Sequence, residues 1–330
     1  MADTIKVTVR VRPVRDGLKK ESLREMEKQL QSSSLTAGMQ RQSLAFQQKQ
    51  HLTCIDSDSN KQILIDSGVE ERSFTFDYVA SPLATQSDVW ENVGLEVTKN
   101  VFEGFNGTII AYGQTGSGKT HTVFGNGEDK GIVPRALKAI WQYIYSEEHR
   151  TASSPSPSPP TPASPFGSRE SKMFSVTVSM CEIYNERVYD LLEDELKDSS
   201  SNNTEKEEGP PRTSLQLRDD PTRGIYVENL TEETIQSPAE AEALLERGLL
   251  NRHTGCTAMN RVSSRSHAIV TLRFTATTDR EGRRTCRTSQ FTLVDLAGSE
   301  RHKKTKSSEA QLREAGQINK SLSELGNVIH

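Results

Sequence analysis

The sequence has no long hydrophobic run, few cysteines and little excess charge. Its apolar runs fall well short of the roughly 18 residues that a membrane-spanning helix needs, and the start Met1–Thr4 has no signal-peptide character. The 4 cysteines are far apart and lack any metal-ligand spacing, which is typical of a reduced intracellular chain. A net charge of −4 disfavours general binding to nucleic acid. We therefore expect no membrane, secreted or zinc-scaffold protein, and no nucleic-acid partner.

Hydrophobic side chains are also scarce, at 33% of 330 residues, while charged ones make up 26%. The deficit is concentrated in three segments, 17–50, 151–172 and 194–212, which we expect to be disordered inserts. Outside them, predicted strands alternate with helices, and the sequence has no internal repeat. This pattern predicts one α/β domain over residues 1–330, with insertions in its loops, rather than two domains.

Hydrophobic periodicity predicts the individual elements. Alternation of apolar and polar residues predicts a strand over Ile5–Arg12. Apolar residues at helical spacing predict an amphipathic helix over Val89–Phe105. Ser237–Pro238 has the chemistry of a helix start, for a helix that runs to about Leu250. Further strands are predicted at Ile63–Ile65, Phe74–Asp77, Gly107–Tyr112, Phe174–Met180, Ala268–Thr275 and Thr288–Val294.

A glycine-rich segment follows the strand Gly107–Tyr112, which we expect to be short and buried. Residues Gly113–Thr120 fit the pattern G-x-x-x-x-G-K-S/T, and we call them the phosphate loop. The glycines let backbone N–H groups point at a β-phosphate, and the helix that follows adds the positive end of its dipole. Lys119 would neutralise phosphate oxygens, and the Thr120 hydroxyl would bind Mg²⁺. The alternative, a turn without a ligand, is disfavoured because a strand and a helix flank the loop, as a nucleoside-triphosphate site requires.

Two further polar segments suit a nucleotide site. The first switch, Asn260–His267, places hydroxyls, an arginine and a histidine before a predicted strand. The second switch, Leu293–Glu300, has Asp295 at the end of an apolar strand, where P-loop NTPases place the aspartate that orients Mg²⁺. Gly298 could offer its N–H to a γ-phosphate. Either segment alone is compatible with an ordinary polar loop, but their order and spacing after the phosphate loop are specific.

These segments together resemble the kinesin motor domain. The resemblance covers the chain outside the three inserts. It implies an α/β P-loop NTPase with a central, mostly parallel, twisted sheet and helices on both faces, and it implies ATP and Mg²⁺ as ligands. The segments that carry it are Arg10–Pro13, Ala111–Thr122, Glu182–Glu186, Asn260–His267, Asp295–Arg301 and Ile318–Leu322.

The resemblance also implies a role for each residue of the site. Adenine-side contacts would come from Arg10, Arg12, Pro13 and His121. The phosphates would be bound by Gly113, Gln114, Thr115, Gly116, Ser117, Gly118, Lys119 and Thr120. Mg²⁺ would be held by Thr120, Ser264 and, through a water molecule, Asp295. On the γ-phosphate side, catalysis would use Ser263, Gly298 and Lys119. Arg265 and Glu300 would form an ion pair when the switches close, and Glu300 would accept the proton of the attacking water through a second water.

The resemblance implies a microtubule as the partner, and therefore a location on the cytoplasmic cytoskeleton. Residues 301–330 have six basic and three acidic side chains, a local charge of +3. Lys303, Lys304 and Lys306, with the helix after them, would contact the acidic track, and salt would weaken that contact. By itself a short basic run is usually a solvated surface. The sequence does not set the oligomeric state.

The leading hypothesis is microtubule-stimulated ATP hydrolysis coupled to movement along the microtubule. The chain ends at His330, inside the expected filament-binding helix, so we expect a motor that is incomplete at its C-terminus and lacks one sheet strand. The alternative is a nucleotide-gated, non-motile microtubule-binding regulator or an inactive fragment. A signalling GTPase is disfavoured because the sequence has no Asn-Lys-x-Asp motif.

Overall fold

The computed structural model describes residues 5–13, 53–55, 61–66, 70–152, 171–193, 213–221, 224–254, 264–280, 283–300 and 309–329. They belong to two compact units, residues 1–93 and 94–330. The expected inserts 17–50 and 194–212 lie outside the described residues. Of the insert expected at 151–172, residues 151–152 instead end a helix and residues 171–172 begin a strand. The rest of that segment also lies outside the described residues.

The first unit contains short strands and one helical turn. They are β1 (Thr8–Arg10), β2 (Thr53–Ile55), β3 (Gln62–Asp66), β4 (Glu71–Thr75), β5 (Tyr78–Ala80) and α1 (Gln86–Val89). β2, β3 and β4 form an antiparallel sheet, and β1 pairs in parallel with β5. The strand predicted over Ile5–Arg12 is confirmed, although its ladder covers only β1. α1 begins at a capping box in which the side chains of Thr85 and Asp88 each accept the other's backbone N–H.

A π-helical segment (Trp90–Gly94) follows α1. The helices of the second unit are α2 (Leu95–Phe102), α3 (Lys119–Val123), α4 (Ile132–Ala152), α5 (Pro238–Thr254) and α6 (Glu309–Ile329). Helix was predicted over Val89–Phe105 and from Pro238 to about Leu250, and both predictions are confirmed within a few residues. The Ser237 hydroxyl accepts the N–H of Glu240 and so caps α5. No helix in the described ranges is long and apolar enough to span a membrane.

The strands of the second unit are β6 (Gly107–Ala111), β7 (Gly125–Asn126), β8 (Asp129–Lys130), β9 (Ser171–Tyr184), β10 (Arg187–Asp190), β11 (Ser214–Leu215), β12 (Leu217–Asp220), β13 (Gly224–Val227), β14 (Glu233–Ile235), β15 (His267–Arg280) and β16 (Arg283–Asp295). Seven of them form one sheet in the order β11-β10-β9-β15-β16-β6, with β14 paired to β9. β16 and β6 are parallel, and the other described pairs of this sheet are antiparallel. The sheet is therefore mixed rather than mostly parallel as expected. The reason is that two residues separate β9 from β10 and β15 from β16, and such short connections join antiparallel neighbours.

Helices cover both faces of this sheet. Phe274 of β15 is buried against the rings of Phe102 on α2 and Tyr143 on α4. Because side chains alternate along a strand, His267 at the start of β15 lies on the opposite face. There its ring contacts Ser321 of α6. The expected placement of helices on both faces is confirmed.

β6 is not the buried strand that we expected. Ile110 is 39% exposed and Thr108 is also exposed, because β6 pairs with β16 on one side and is the last strand of the described sheet. The parallel pairing nevertheless places Ala111 at the end of β6 opposite Asp295 at the end of β16. The phosphate loop and the second switch therefore leave the same edge of the sheet.

Candidate functional site

The phosphate loop connects β6 to α3 in a conformation that depends on its glycines. Gly116 and Gly118 have φ angles of 75° and 106°, a region that side chains disfavour. Gly118 is also the N-cap of α3, so the first helical residue is Lys119. Residues 114–116 are exposed to solvent. The loop is therefore open to a ligand from outside.

Lys119 is held by the loop itself. Its Nζ donates to the carbonyl oxygen of Gly113 at 2.8 Å and to that of Gln114 at 3.0 Å. Burial lowers the pKa of the Lys119 amine, and the nearby carboxylates of Asp295 and Glu300 oppose that shift. A bound phosphate would give this cation an anionic partner in place of two neutral carbonyls.

Asp295 joins the second switch to the phosphate loop. It is 0% exposed, and its Oδ2 accepts two hydrogen bonds of 2.7 Å, from the Thr120 hydroxyl and from Nη1 of Arg252. Its Oδ1 is buried and has no hydrogen-bond partner among the residues that the structure describes. Since buried carboxylate oxygens are normally satisfied, Oδ1 is a ready acceptor for a further donor.

The oxygen atoms around Asp295 fit Mg²⁺. This ion prefers oxygen ligands and keeps several of its waters. The Thr120 hydroxyl lies beside Asp295, and the Oδ1 atom of Asp295 could accept a hydrogen bond from a metal-bound water. Ser264 of the first switch is tied to the second switch, because its carbonyl oxygen accepts the N–H of Gly298 at 2.8 Å. The structure thus places Thr120 and Asp295 in direct contact and links Ser264 to the second switch through its backbone, while the binding of a metal by all three stays a prediction.

Arg252 is a residue of this site that the sequence analysis missed. It is 1% exposed, and besides Asp295 its guanidinium contacts the carbonyl oxygen of Ser266 at 3.2 Å and the carboxylate of Glu182 at 3.8 Å. The sequence does contain a signal that Arg252 is buried. The buried residues of α5 recur every three or four positions, and Arg252 continues that pattern. Those residues are Ala241, Leu244, Leu245 and Gly248, which packs on Met180. A cation on the core face of a helix predicts a buried anionic partner.

The rest of the second switch lies on the phosphate loop. The Leu296 N–H donates to the carbonyl oxygen of Ala111 at 3.2 Å, and the Ser299 N–H donates to that of Gly113 at 3.1 Å. Glu300 continues this contact, because its Oε2 accepts the N–H of Thr115 at 2.7 Å and its Oε1 accepts the Thr115 hydroxyl. Both carboxylates of the second switch are therefore bonded to threonines of the phosphate loop.

The remaining predicted residues are only partly placed. Arg265 is described and half-buried, and its ion pair with Glu300 stays a prediction. Ser263 lies outside the described residues, as do Lys303, Lys304 and Lys306. The helix expected after these lysines is present as α6.

The four residues predicted on the adenine side stay predictions in that role. In the first unit, Arg10 donates from Nη1 to Oε1 of the buried Gln86 at 2.7 Å, and Arg12 and Pro13 are exposed. In the second unit, His121 on α3 has its Nε2 3.3 Å from Oδ2 of Asp129.

A family profile described as the kinesin motor domain matches residues 10–330. Among curated proteins, the chain is 38% identical over 284 residues to kinesin-like protein KIF15 of Strongylocentrotus purpuratus, which covers 84% of this chain and 17% of that protein. It is 40% identical over 269 residues to kinesin-related protein 1 of Dictyostelium discoideum, covering 79% of this chain and 11% of that protein. The chain thus spans less than a fifth of the length of these relatives.

Two solved structures share the fold. One is described as a fast kinesin, with a TM-score of 0.70 and 29% identity, over 98% of this chain and 73% of that chain. The other is a KIF14 dimer with AMP-PNP in complex with a microtubule, with a TM-score of 0.69 and 28% identity, over 98% of this chain and 76% of that chain. The expected α/β P-loop NTPase fold is therefore confirmed, except that its sheet is mixed.

Proposed function

Because the chain belongs to the kinesin motor domain family, we propose that it hydrolyses Mg·ATP at the phosphate loop and couples this reaction to binding and moving along microtubules. The observation that carries the proposal is the attachment of both carboxylates of the second switch, Asp295 and Glu300, to Thr120 and Thr115 of the phosphate loop. The second switch, held in this way, would respond to a ligand that binds in the phosphate loop. The cytoplasmic microtubule cytoskeleton is then the expected location.

Nucleotide binding would use the phosphate loop together with residues of both switches. Backbone N–H groups of Gly113–Thr120 and the Lys119 amine would bind the phosphates. Thr120, Ser264 and Asp295 would hold Mg²⁺, with Asp295 acting through a water, and the ion would neutralise charge on the phosphate oxygens. Arg252 would hold Asp295 in its orientation, because its guanidinium donates a hydrogen bond of 2.7 Å to the carboxylate.

Hydrolysis would depend mainly on positioning and charge neutralisation. Glu300 is the proposed acceptor, through a second water, of the proton of the attacking water. To do so it must exchange its bonds to Thr115 for a contact with water. Pairing with Arg265 of the first switch would hold it in its new place, and Ser263 would complete the closed site. On this proposal the contact between Glu300 and Thr115 belongs to an open state of the second switch.

Gly298 would report the γ-phosphate to the rest of the chain. Its N–H is donated to the carbonyl oxygen of Ser264, so binding a phosphate oxygen requires that this bond opens. Opening it would shift the second switch, and with it α6, which follows in the chain. This is a bistable contact of the kind that couples a nucleotide to a distant surface.

Replacing Gly298 with alanine is expected to reduce ATP hydrolysis by at least about tenfold, since misplacing a reacting group by about 1 Å can cost on the order of 100-fold. A Cβ atom at this position would force the Glu300 carboxylate and the Thr115 hydroxyl to move, and so would displace the proposed proton acceptor. The measurement is steady-state ATP turnover. Gly326→Ala is the matched control, because its Cβ would meet nothing within 4 Å. Normal turnover in Gly298→Ala would contradict the role given to this close contact.

The microtubule contact is proposed for Lys303, Lys304, Lys306 and α6. The KIF14 structure, which is bound to a microtubule, supports a track of that kind for this family. A variant with alanine at all three lysines is expected to bind microtubules more weakly and with a shallower salt dependence, because exposed charges are screened beyond about 8 Å at physiological ionic strength.

Cosedimentation with microtubules across a salt series tests this part of the proposal. The control variant replaces three exposed lysines elsewhere, Lys61, Lys99 and Lys138, and removes the same charge. Equal losses in the two variants would show that net charge, rather than Lys303, Lys304 and Lys306, determines binding. The chain would then lack the proposed track contact.

A further inference from the structure

His267 connects the second switch to α6. It is 7% exposed and is the first residue of β15. Its Nδ1 lies 3.0 Å from the backbone nitrogen of Ala297, and its Nε2 lies 2.8 Å from the Ser321 hydroxyl. One imidazole thus touches the segment between Asp295 and Gly298 on one side and the long helix on the other.

The chemistry of the partners fixes the direction of these hydrogen bonds. The Ala297 N–H can only donate, so Nδ1 accepts and carries no proton. In a neutral imidazole the proton is then on Nε2, which donates to the Ser321 hydroxyl oxygen. The Ser321 hydroxyl in turn donates to the carbonyl oxygen of Ile318 at 2.8 Å. Burial first, and then the nearby Arg252, lower the pKa of His267 and so favour the neutral ring that this chain of bonds needs.

This chain of hydrogen bonds joins the two parts of the molecule that the proposed function requires to move together. Ala297 precedes Gly298, whose N–H must leave Ser264 when a phosphate binds. Ser321 lies on α6, which is proposed to contact the track. α6 also has an ion pair of Lys320 with Glu186, which is exposed and long, at 3.5 Å, and such pairs contribute little.

We propose that His267 and Ser321 are positioning residues that transmit the state of the second switch to α6. The proposal rests on the function proposed above. When the Ala297 N–H moves with Gly298, Nδ1 loses or regains its donor, and the imidazole shifts against Ser321. By reciprocity, a partner that displaces α6 would act through the same bonds on the second switch and on nucleotide affinity. A purely structural histidine would affect stability without affecting this response.

The test uses the chain without microtubules, so that coupling is separated from track binding. Hydrogen exchange of peptides covering residues 309–329 is measured with and without Mg·AMP-PNP. Ser321→Ala removes the acceptor of Nε2. His267→Asn keeps an acceptor for the Ala297 N–H but is too short to reach Ser321. Ser321→Thr restores the hydroxyl, and Ser323→Ala removes an equivalent hydroxyl bonded one turn back to Asn319 at 2.8 Å on the same helix.

In the unmodified chain, the nucleotide is expected to change the exchange rate of α6. Ser321→Ala and His267→Asn should each reduce that change by at least about fivefold, the lower range of measured allosteric couplings, and the double variant should be no worse than either single one. Ser321→Thr and Ser323→Ala should respond like the unmodified chain. Nucleotide affinity of Ser321→Ala, measured with a fluorescent ATP analogue, should stay within about twofold, well below that coupling range.

Two results would overturn the inference, and they are distinguishable. If the unmodified chain binds nucleotide and α6 responds in Ser321→Ala as strongly as before, the hydrogen-bonded chain does not transmit the signal. If the unmodified chain binds no nucleotide, the proposed function fails and the inference fails with it.

Discussion

Alanine in place of Lys119 is expected to lower the rate of ATP hydrolysis by about 100- to 1,000-fold, the usual effect of removing one group that stabilises charge in a transition state. The amine already lies on the phosphate loop, bonded to the carbonyl oxygens of Gly113 and Gln114. Transfer of the γ-phosphoryl group to water develops charge on the phosphate oxygens. Lys119 is the cation of the loop that would neutralise this charge.

Steady-state release of inorganic phosphate measures this effect. Lys130→Ala is a suitable control, because Lys130 is partly exposed on β8 and its nitrogen is 3.6 Å from the carboxylate of Glu242, a type of pair that contributes about 0–1 kcal/mol. The control should keep the rate of the unmodified chain. If Lys119→Ala hydrolysed ATP as fast as the control, the phosphate loop would not be the catalytic site.

Alanine in place of Arg252 is expected to lower the free energy of unfolding by about 3–5 kcal/mol, since removing one member of a buried ion pair leaves the other charge in the interior. The guanidinium is 2.7 Å from Asp295 and 3.8 Å from Glu182, and all three side chains are buried. Without Arg252, the carboxylates of Asp295 and Glu182 would stay buried beside the proposed metal site and would lose this cation. We therefore expect the variant also to bind Mg·ATP poorly.

Urea unfolding followed by circular dichroism gives the stability change. Arg218→Ala is the matched control, because Arg218 and Glu228 form a similarly short pair of 2.9 Å at the surface. Exposed pairs are worth about 0–1 kcal/mol, so this variant should unfold almost like the unmodified chain. Equal stability changes in the two variants would show that Arg252 does not hold the buried carboxylates together.

The sequence was sufficient to predict the parts of the site that follow from local pattern. The phosphate loop needs glycines at defined positions, and Asp295 ends an apolar strand, so both could be found along the chain. Their proximity in space then follows from the parallel pairing of β6 with β16. By contrast, the bonds of Glu300 to Thr115 and of His267 to Ser321 join residues far apart in sequence. No local periodicity predicts such contacts.

Strand lengths show the same limit. The strands predicted at Ala268–Thr275 and Thr288–Val294 are longer in the structure, where the first ends at Arg280 and the second begins at Arg283. The prediction missed these extensions because the outer part of the hairpin is rich in threonines and charged residues. Threonine favours strands, but an outer hairpin that is largely exposed has no hydrophobic alternation to reveal it. The mixed direction of the sheet was likewise missed, since the family resemblance had suggested mostly parallel strands.

ATP turnover by residues 1–330 with and without microtubules, beside Lys119→Ala, tests the central claim most directly. The account predicts that microtubules raise the rate and that Lys119→Ala lowers both the basal and the stimulated turnover by about 100- to 1,000-fold. Turnover that microtubules leave unchanged would contradict the coupling of the nucleotide site to a track. Absence of any turnover, with microtubule binding that still depends on nucleotide, would instead identify a non-motile regulator and contradict the assignment of ATP hydrolysis to this chain.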